Sequence, residues 1–390
     1  MRLAIVSHKV CWKSSDSANE FQTDGGFPLQ VKAISELFDE TKLLVPFEGV
    51  REKVGATPLE GKKLKVQPLS VSKSKGLARK MSFPLWLMKN GRTIWREIKR
   101  ADAVHTPIPG DIGTIGMAFA ILQRKPLFVR HCGNWLVQRT AAEHVWKWLM
   151  EYFAGGRNVM FATGGTEKAP SERNSCIKWI FSTSLKRENI ERAVVRDFPQ
   201  DGKLKLIIAC RLENRKGVDV VIESLPSILK KYPKASLDVI GGGSLEQKLK
   251  ERAEKLGLTE NIRFHGKVAQ SKVIDLMKQA HVFCFPTSAS EGFPKVVIEA
   301  LACGLPVITT RVSVLPRLIG NECGVLLDQP TSENLAGAVE KIFSEEEVFC
   351  RMSEKAVGTA KQYSLENWRD FIGENLRRAW NVSSLSSLGQ

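Results

Sequence analysis

From His281 to Thr310 the chain spells out one complete strand-loop-helix-strand unit, and this stretch constrains the fold more than any other. Val282 to Phe285 is short and wholly apolar, as a strand buried on both faces is. Pro286 to Ser290 is a loop, and Pro294 suits the first turn of a helix, where no intrahelical N–H donor is needed. The helix is expected to begin at Phe293 or Pro294, run to about Cys303 and stop at Gly304-Leu305-Pro306. Val307 to Thr309 then reads as the next buried strand. Glu291 falls on the loop at the helix mouth and Glu299 one to two turns inside. Two carboxylates therefore flank an N-terminus whose free N–H groups and dipole favour an anion. Carboxylates accept hydrogen bonds from sugar hydroxyls and a helix mouth holds phosphate, a pairing suited to a sugar joined to a nucleotide diphosphate.

Similar units recur along the 390 residues, a length above that of a single core. Leu3 to Ser7 is the first strand. It leads through Gly25-Gly26-Phe27-Pro28 into a helix from about Leu29 to Phe38. Ala103 to Pro107 ends another strand ahead of a loop holding Asp111 and the helical run Ile115 to Leu122. Leu127 to Arg130 is a further strand; the loop His131-Cys-Gly-Asn134-Trp135 leads from it towards the aromatic helix Ala141 to Phe153. Val159 to Phe161 and Ile177 to Phe181 close this half, and the polar stretch Lys186 to Lys203 reads as a linker. The pattern restarts with the strand Lys205 to Ala209, the loop Cys210 to Gly217 and the helix Val218 to Lys230. Ser236 to Ile240 leads into Gly241-Gly242-Gly243, and Arg263 to Gly266 into Lys267-Val268; Leu365 to Trp380 is a last amphipathic helix. Two such series argue for an α/β chain of two doubly wound, Rossmann-like domains facing each other across a cleft. The expected boundaries are 1–185, 186–363, a returning helix at 364–381, and a disordered tail at 382–390.

No apolar run approaches the eighteen or so residues of a transmembrane helix, and Met1 to His8 is too brief for a secretory signal, so a cytoplasmic protein is expected. Eight cysteines without a C-x-x-C pair suggest neither disulfides nor a zinc site. Charge concentrates between residues 51 and 100, where fourteen basic residues against three acidic ones supply a net +11 of the chain's +16. Met81 to Met88 and Trp95 are interleaved with these cations. This mix is expected of a surface that docks on an anionic membrane, with a solvated basic face as the plain alternative. Nucleic acid is disfavoured because no helix-turn-helix, zinc-finger or RNP-like pattern accompanies the charge.

Glu291 and Glu299, eight apart, with Gly292-Phe293 after the first and Ala300 after the second, resemble the E-x7-E signature of the retaining GT-B glycosyltransferases, especially the large family 4. Cys210-Arg211-Leu212 to Lys216-Gly217 resembles the family's G-R-L-x-x-x-K-G segment, with Cys210 where glycine is usual. Gly241-Gly-Gly243 to Glu246 resembles its C-terminal glycine loop; a dinucleotide fingerprint fails because Glu246 stands at the third glycine. The resemblance implies transfer of a sugar from a nucleotide-diphosphate sugar to a hydroxyl of a glycan or lipid-linked acceptor, with retention, in cell-surface polysaccharide or glycolipid synthesis. Glu291 would hold donor-sugar hydroxyls and Glu299 the ribose. Arg211 and Lys216 would neutralise the diphosphate, Arg211 bidentately and Lys216 as a point charge. Gly242 and Gly243 would lie near the donor phosphates, Gly25 and Gly26 against the donor phosphates or the acceptor, and Lys267 and Val268 at the base. Gly292, Phe293, Pro294, Lys295 and Val296 would complete the donor loop. A histidine at the carboxyl end of a parallel strand points into the ligand crevice, and His105 in its D-x-x-H-x-P-like setting would approach the transferred sugar. Asp111 and Asn134 are acceptor-side candidates. No D-x-D occurs, so metal-independent chemistry without a cofactor is expected, with a UDP-sugar favoured over a GDP-sugar as donor and membrane association peripheral, on the inner face. A GT-B nucleotide-sugar epimerase, a processive glycogen-synthase-type polymerase and a non-catalytic binder of anionic lipid or nucleic acid are the alternatives.

Overall fold

The apolar runs become parallel strands. The computed structural model describes the chain except residues 14–19, 51–55, 72–75, 139, 167, 192–194, 201, 291, 321 and 383–390. In chain order its first elements are β1 (Arg2–Val6), β2 (Cys11–Lys13), β3 (Phe21–Asp24), α1 (Phe27–Glu36), β4 (Glu40–Val50), β5 (Ala56–Pro58), β6 (Leu64–Leu69) and α2 (Gly76–Arg100). There follow β7 (Ala103–Ile108), α3 (Asp111–Leu122), β8 (Leu127–His131), α4 (Ala141–Phe153), β9 (Asn158–Thr163), β10 (Ile177–Ile180) and α5 (Arg187–Glu191). Then come β11 (Lys205–Ala209), α6 (Val218–Lys231), β12 (Ser236–Ile240), α7 (Glu246–Lys255), β13 (Ile262–Gly266), α8 (Gln270–Met277), β14 (Val282–Phe285) and α9 (Lys295–Ala302). The last are β15 (Val307–Thr310), α10 (Leu315–Ile319), β16 (Gly324–Leu327), α11 (Ser332–Ile342), α12 (Glu346–Lys361) and α13 (Leu365–Trp380).

The chain divides into two units. Unit 1 comprises residues 1–164, 168–184 and 365–390, and unit 2 residues 165–167 and 185–364. The parallel strands of unit 1 run β6-β4-β1-β7-β8-β9-β10, and an antiparallel ribbon of β2, β3 and β5 extends from the far end of β4. In unit 2 the order is β13-β12-β11-β14-β15-β16, all parallel. With the parallel strands numbered within each unit, unit 2 reads 3-2-1-4-5-6 and unit 1 reads 3-2-1-4-5-6-7, the doubly wound order, whose switch point lies between the first and fourth strands. Alternate residues of each strand enter opposite cores. On β8, Phe128 packs with α1 and α13, while Leu127 and Val129 pack with α2, α3 and α4. On β11, Leu206 and Ile208 meet α6 and α11, and Ile207 meets α9.

Local expectations change in five places. α1 begins at Phe27, two residues early, and α9 begins at Lys295, so Pro294 caps it in extended backbone (φ −81°, ψ 92°) rather than filling its first turn. The stretch 186–203 is no free linker, since it contains α5 and sends Ile190 into the unit 2 core. Strands between residues 40 and 69 were not among those expected: β4 holds the buried run Leu43 to Pro46, and β6, which alternates Leu64, Val66 and Pro68 with Lys65 and Gln67, is only half-buried along most of its length. Much of the basic segment is the 25-residue helix α2, which carries Pro84 inside it.

Candidate active site

The switch point of unit 2 lies between β11 and β14, and there the loops leaving the two strands are stapled together. Arg215 donates from its guanidinium to the Ser288 carbonyl at 2.8 Å, Ser288 N–H donates to the Arg215 carbonyl at 2.9 Å, and the Thr287 hydroxyl donates to that same carbonyl at 3.0 Å. Gly217, the N-cap of α6, has φ +75°, and a Cβ there would stand 2.4 Å from the Pro286 carbonyl oxygen, so only glycine lets the loops approach this closely. Lys216, one residue earlier, is buried to 7% exposure. Arg211 extends into solvent and pairs with Glu213 at 3.0 Å.

The glycine loop after β12 joins the same constellation. Gly241 N–H donates to the Gly266 carbonyl, and a Cβ on Gly241 would lie 1.8 Å from the Cys210 carbonyl oxygen. Gly243 is equally crowded against Leu212, whereas Gly242 faces the side chain of Lys267. Two of the three glycines are thus demanded by backbone packing between adjacent loops. Cys210 has no left-handed backbone and fits with its side chain against both cores. Val268 packs at the edge of the core that holds α9.

Glu291 lies outside the described residues. Beyond it, Gly292 and Phe293 approach α9, with the Phe293 ring 5.7 Å from that of Tyr363; Lys295 and Val296 form the first turn. Glu299 is 7% exposed and accepts a hydrogen bond from the Gln270 side chain at the start of α8. Burial pushes its carboxyl above the usual range, opposed by that hydrogen bond and by Lys295. Gln270 was not read from the sequence, where nothing ties it to a glutamate 29 positions on.

In unit 1 the switch point lies between β1 and β7. Gly110, the N-cap of α3, would place a Cβ 2.6 Å from Nδ1 of His8, so the two strand exits touch; Asp111 stands in the first turn of α3. Gly26 caps α1. His105 is a correction. It is the third of six residues in β7 rather than the last, is 2% exposed, and donates from Nδ1 to the Phe128 carbonyl at 3.0 Å with its ring flat on Phe128 at 4.0 Å. Burial, then the nearby Arg130 charge, hold it well below the ordinary histidine range. The residue that does end a strand is His131. It is buried edge-on to Trp135 at 5.2 Å, with its pKa pushed down to about 4 by burial. Asn134 spends its side-chain carbonyl on its own loop, accepting from Leu136 and Val137 N–H at 3.0 and 3.3 Å. On the opposite face of the sheet, Arg130 stacks on Trp368 of α13 at 4.7 Å and donates twice to the Gln30 side-chain oxygen at 3.2 Å. Gln30 donates onward to the Thr183 carbonyl.

Residues 191–359 match the family described as glycosyl transferases group 1. A phosphatidylinositol N-acetylglucosaminyltransferase subunit from Arabidopsis thaliana is 30% identical over 146 residues, 37% of this chain and 32% of that protein. The phosphatidyl-myo-inositol mannosyltransferase of Mycobacterium leprae is 33% identical over 143 residues, 36% of this chain and 37% of that protein. The chain spans about a third of the length of these curated relatives. Among solved structures, Anabaena Alr3699/HepE in complex with UDP and glucose superposes with a TM-score of 0.69 at 16% identity, covering 96% of this chain and 99% of that one. That likeness extends a shared fold over nearly the whole chain.

Proposed function

We propose, from the premise that this is a GT-B protein whose residues 191–359 belong to the glycosyl transferases group 1, that it moves a sugar from a nucleotide-diphosphate sugar to a hydroxyl of a glycan or lipid-linked acceptor. The observation that carries this reading is the switch point of unit 2. There a buried lysine, a solvent-facing arginine and the approach to the α9 helix mouth are built on loops bonded to one another. A diphosphate leaving group needs this set of charges. Lys216 supplies a fixed ammonium, and Arg211 turns from Glu213 to the phosphate. Glu299, held by Gln270, accepts from the ribose hydroxyls, and Glu291 accepts from the sugar. On unit 1, His131 is the imidazole that stands at a strand exit; it is as buried as His105, at 2% exposure, and neutral at physiological pH.

The reaction runs with retention. The bond from the anomeric carbon to the diphosphate breaks while the acceptor oxygen bonds on the same face, and the acceptor proton passes to a departing phosphate oxygen. A UDP-sugar is favoured, in keeping with the UDP and glucose bound by the Anabaena neighbour. Both of these relatives carry a phosphatidylinositol in their names, which supports a lipid-linked acceptor, met in this reading at the inner membrane face. No helix among the described residues is long and apolar enough to cross a membrane.

A thermal-shift panel of UDP-, GDP- and ADP-sugars tests the donor. Turnover of Lys216→Ala and Glu291→Gln tests the site. Loss of one charged partner costs on the order of 2 to 4 kcal/mol in the transition state, roughly 30-fold to 1000-fold in rate. Wild-type turnover in both variants, at unchanged melting temperature, would sink the assignment. Release of an altered free nucleotide sugar without acceptor would sink the transferase in favour of an epimerase.

A further inference from the structure

The helices on one face of the unit 1 sheet carry an apolar outer surface that the fold leaves in water. α2 turns Trp86, Asn90, Ile94 and Ile98 inward, and along the opposite stripe it exposes Met81, Leu85, Met88 and Trp95. Met81 and Met88 are 78% and 79% exposed. α3 lies beside it, with Phe119 edge-on to Trp95 at 5.1 Å; it has no charged residue between Asp111 and Arg124, and it exposes Leu122. α4 is tied to α3 by the Trp146 indole donating to the Thr114 hydroxyl at 2.8 Å. Its outer stripe is Val145, Trp148 and Tyr152, the last two stacked at 5.5 Å. Three adjacent helices thus share an apolar surface, which scattered single side chains do not account for.

On α2 and at the C-terminal end of α3 the exposed charge has one sign, while α4 carries Glu143, Lys147 and Glu151, each only partly exposed. Between residues 81 and 125 the exposed charged side chains are Lys89, Arg92, Arg96, Lys99, Arg100 and Arg124; Glu97, the acid of α2, is buried beneath Arg96 and Arg100 at 3.3 Å each. The surface differs from the one expected from sequence. Trp86 is buried with its indole donating to the Ser70 carbonyl, and Phe83 and Leu87 pack on the core.

We infer that the outer face of α2, α3 and α4 docks on a bilayer containing anionic phospholipid. The apolar stripes enter the headgroup boundary, and the cations of α2 and of the end of α3 meet lipid phosphates. A second copy is a poorer occupant, because self-pairing would bring the same cations face to face. A nucleic acid would meet the cations and leave Met81, Leu85, Met88 and Tyr152 in water. The inference gives the proposed transferase its membrane partner and to that extent rests on that reading.

Co-sedimentation of the full chain with vesicles of phosphatidylglycerol and phosphatidylcholine, against phosphatidylcholine alone, decides it. Wild type pellets with the anionic vesicles, less so at high salt. Three double variants, Leu85→Ser with Met88→Ser, Trp148→Ser with Tyr152→Ser, and Arg92→Glu with Lys99→Glu, each lose about tenfold in affinity. All six side chains are exposed, so melting temperature and nucleotide-sugar thermal shift stay as in wild type. No binding, equal binding to neutral vesicles, an α4 variant that binds as wild type, or a dimer that the α4 variant dissolves each overturns the inference. A chain that binds vesicles but responds to no nucleotide sugar overturns the proposed function instead and leaves the surface standing.

Discussion

Glu299 and His131 respond to pH with opposite signs, and both responses are measurable. Burial raises the Glu299 carboxyl in the fold, so the folded chain holds that proton more tightly than the unfolded one. Its contribution is complete below the unfolded carboxyl pKa and is lost as pH rises through the raised one. Glu299→Gln keeps an oxygen to accept from Gln270 and removes the buried charge. Urea denaturation at neutral pH should therefore find the variant at least as stable as wild type, with the advantage gone in acid, while the thermal shift by nucleotide sugar shrinks. A variant less stable at neutral pH by more than about 1 kcal/mol would contradict this account. His131 is held at about 4, below its ordinary 6.5, so its stability is complete above 6.5 and lost as pH falls towards 4. The loss is at most about 3 kcal/mol. His281, also held at about 4 by burial, adds to the same acid slope. In His131→Gln the slope of unfolding free energy against pH should flatten; an unchanged slope would assign it elsewhere. At this scale the sequence was partly legible. The places of Lys216 on the loop before α6 and of Glu299 inside α9 could be read because loop, helix mouth and spacing stood together. His105 was misplaced because Pro107, which cannot donate into a ladder, reads as a strand end. β7 nevertheless runs through it to Ile108 in the sheet interior, paired with Arg130.

Elements whose apolar period is long were legible almost to the residue. α4 and α13 have the bounds their pattern implies, whereas short strands such as β5 and β6 carry no period long enough to read. The glycine loops show what periodicity leaves out. Gly241→Ala should lower the melting temperature sharply, because its Cβ would meet a backbone oxygen at φ +127°. Gly337→Ala, inside α11 with nothing within 4 Å, should raise stability by about 0.5–1 kcal/mol. A reversed order of the two by calorimetry would overturn the packing account of that loop. Trp368→Ala removes a fully buried side chain of α13 from the unit 1 core and from Arg130, at an expected cost of about 3–5 kcal/mol by urea denaturation.

At the scale of the whole molecule, the repetition was readable as two series of units, because each restarts with an apolar strand. Which strands neighbour one another depended on pairings that sequence does not record, such as β6 beside β4. The proposed chemistry also makes a whole-protein prediction. If Arg211, Lys216 and the α9 mouth carry the leaving-group charge, sugar transfer persists in excess EDTA. Loss of activity on chelation, restored by magnesium or manganese, would show that a metal shares that work.

The helix α13 closes unit 1 although it follows unit 2 in the chain: Trp368, Ile372, Leu376 and Trp380 complete the core begun by β1, α1 and β8. A nascent chain therefore carries nearly all of unit 2, residues 185–364, in one uninterrupted stretch, while unit 1 waits with an apolar layer uncovered. Synthesis and completion run in opposite orders. A chain stalled at residue 364 should be cut by protease within its first 184 residues sooner than within the stretch that was made after them.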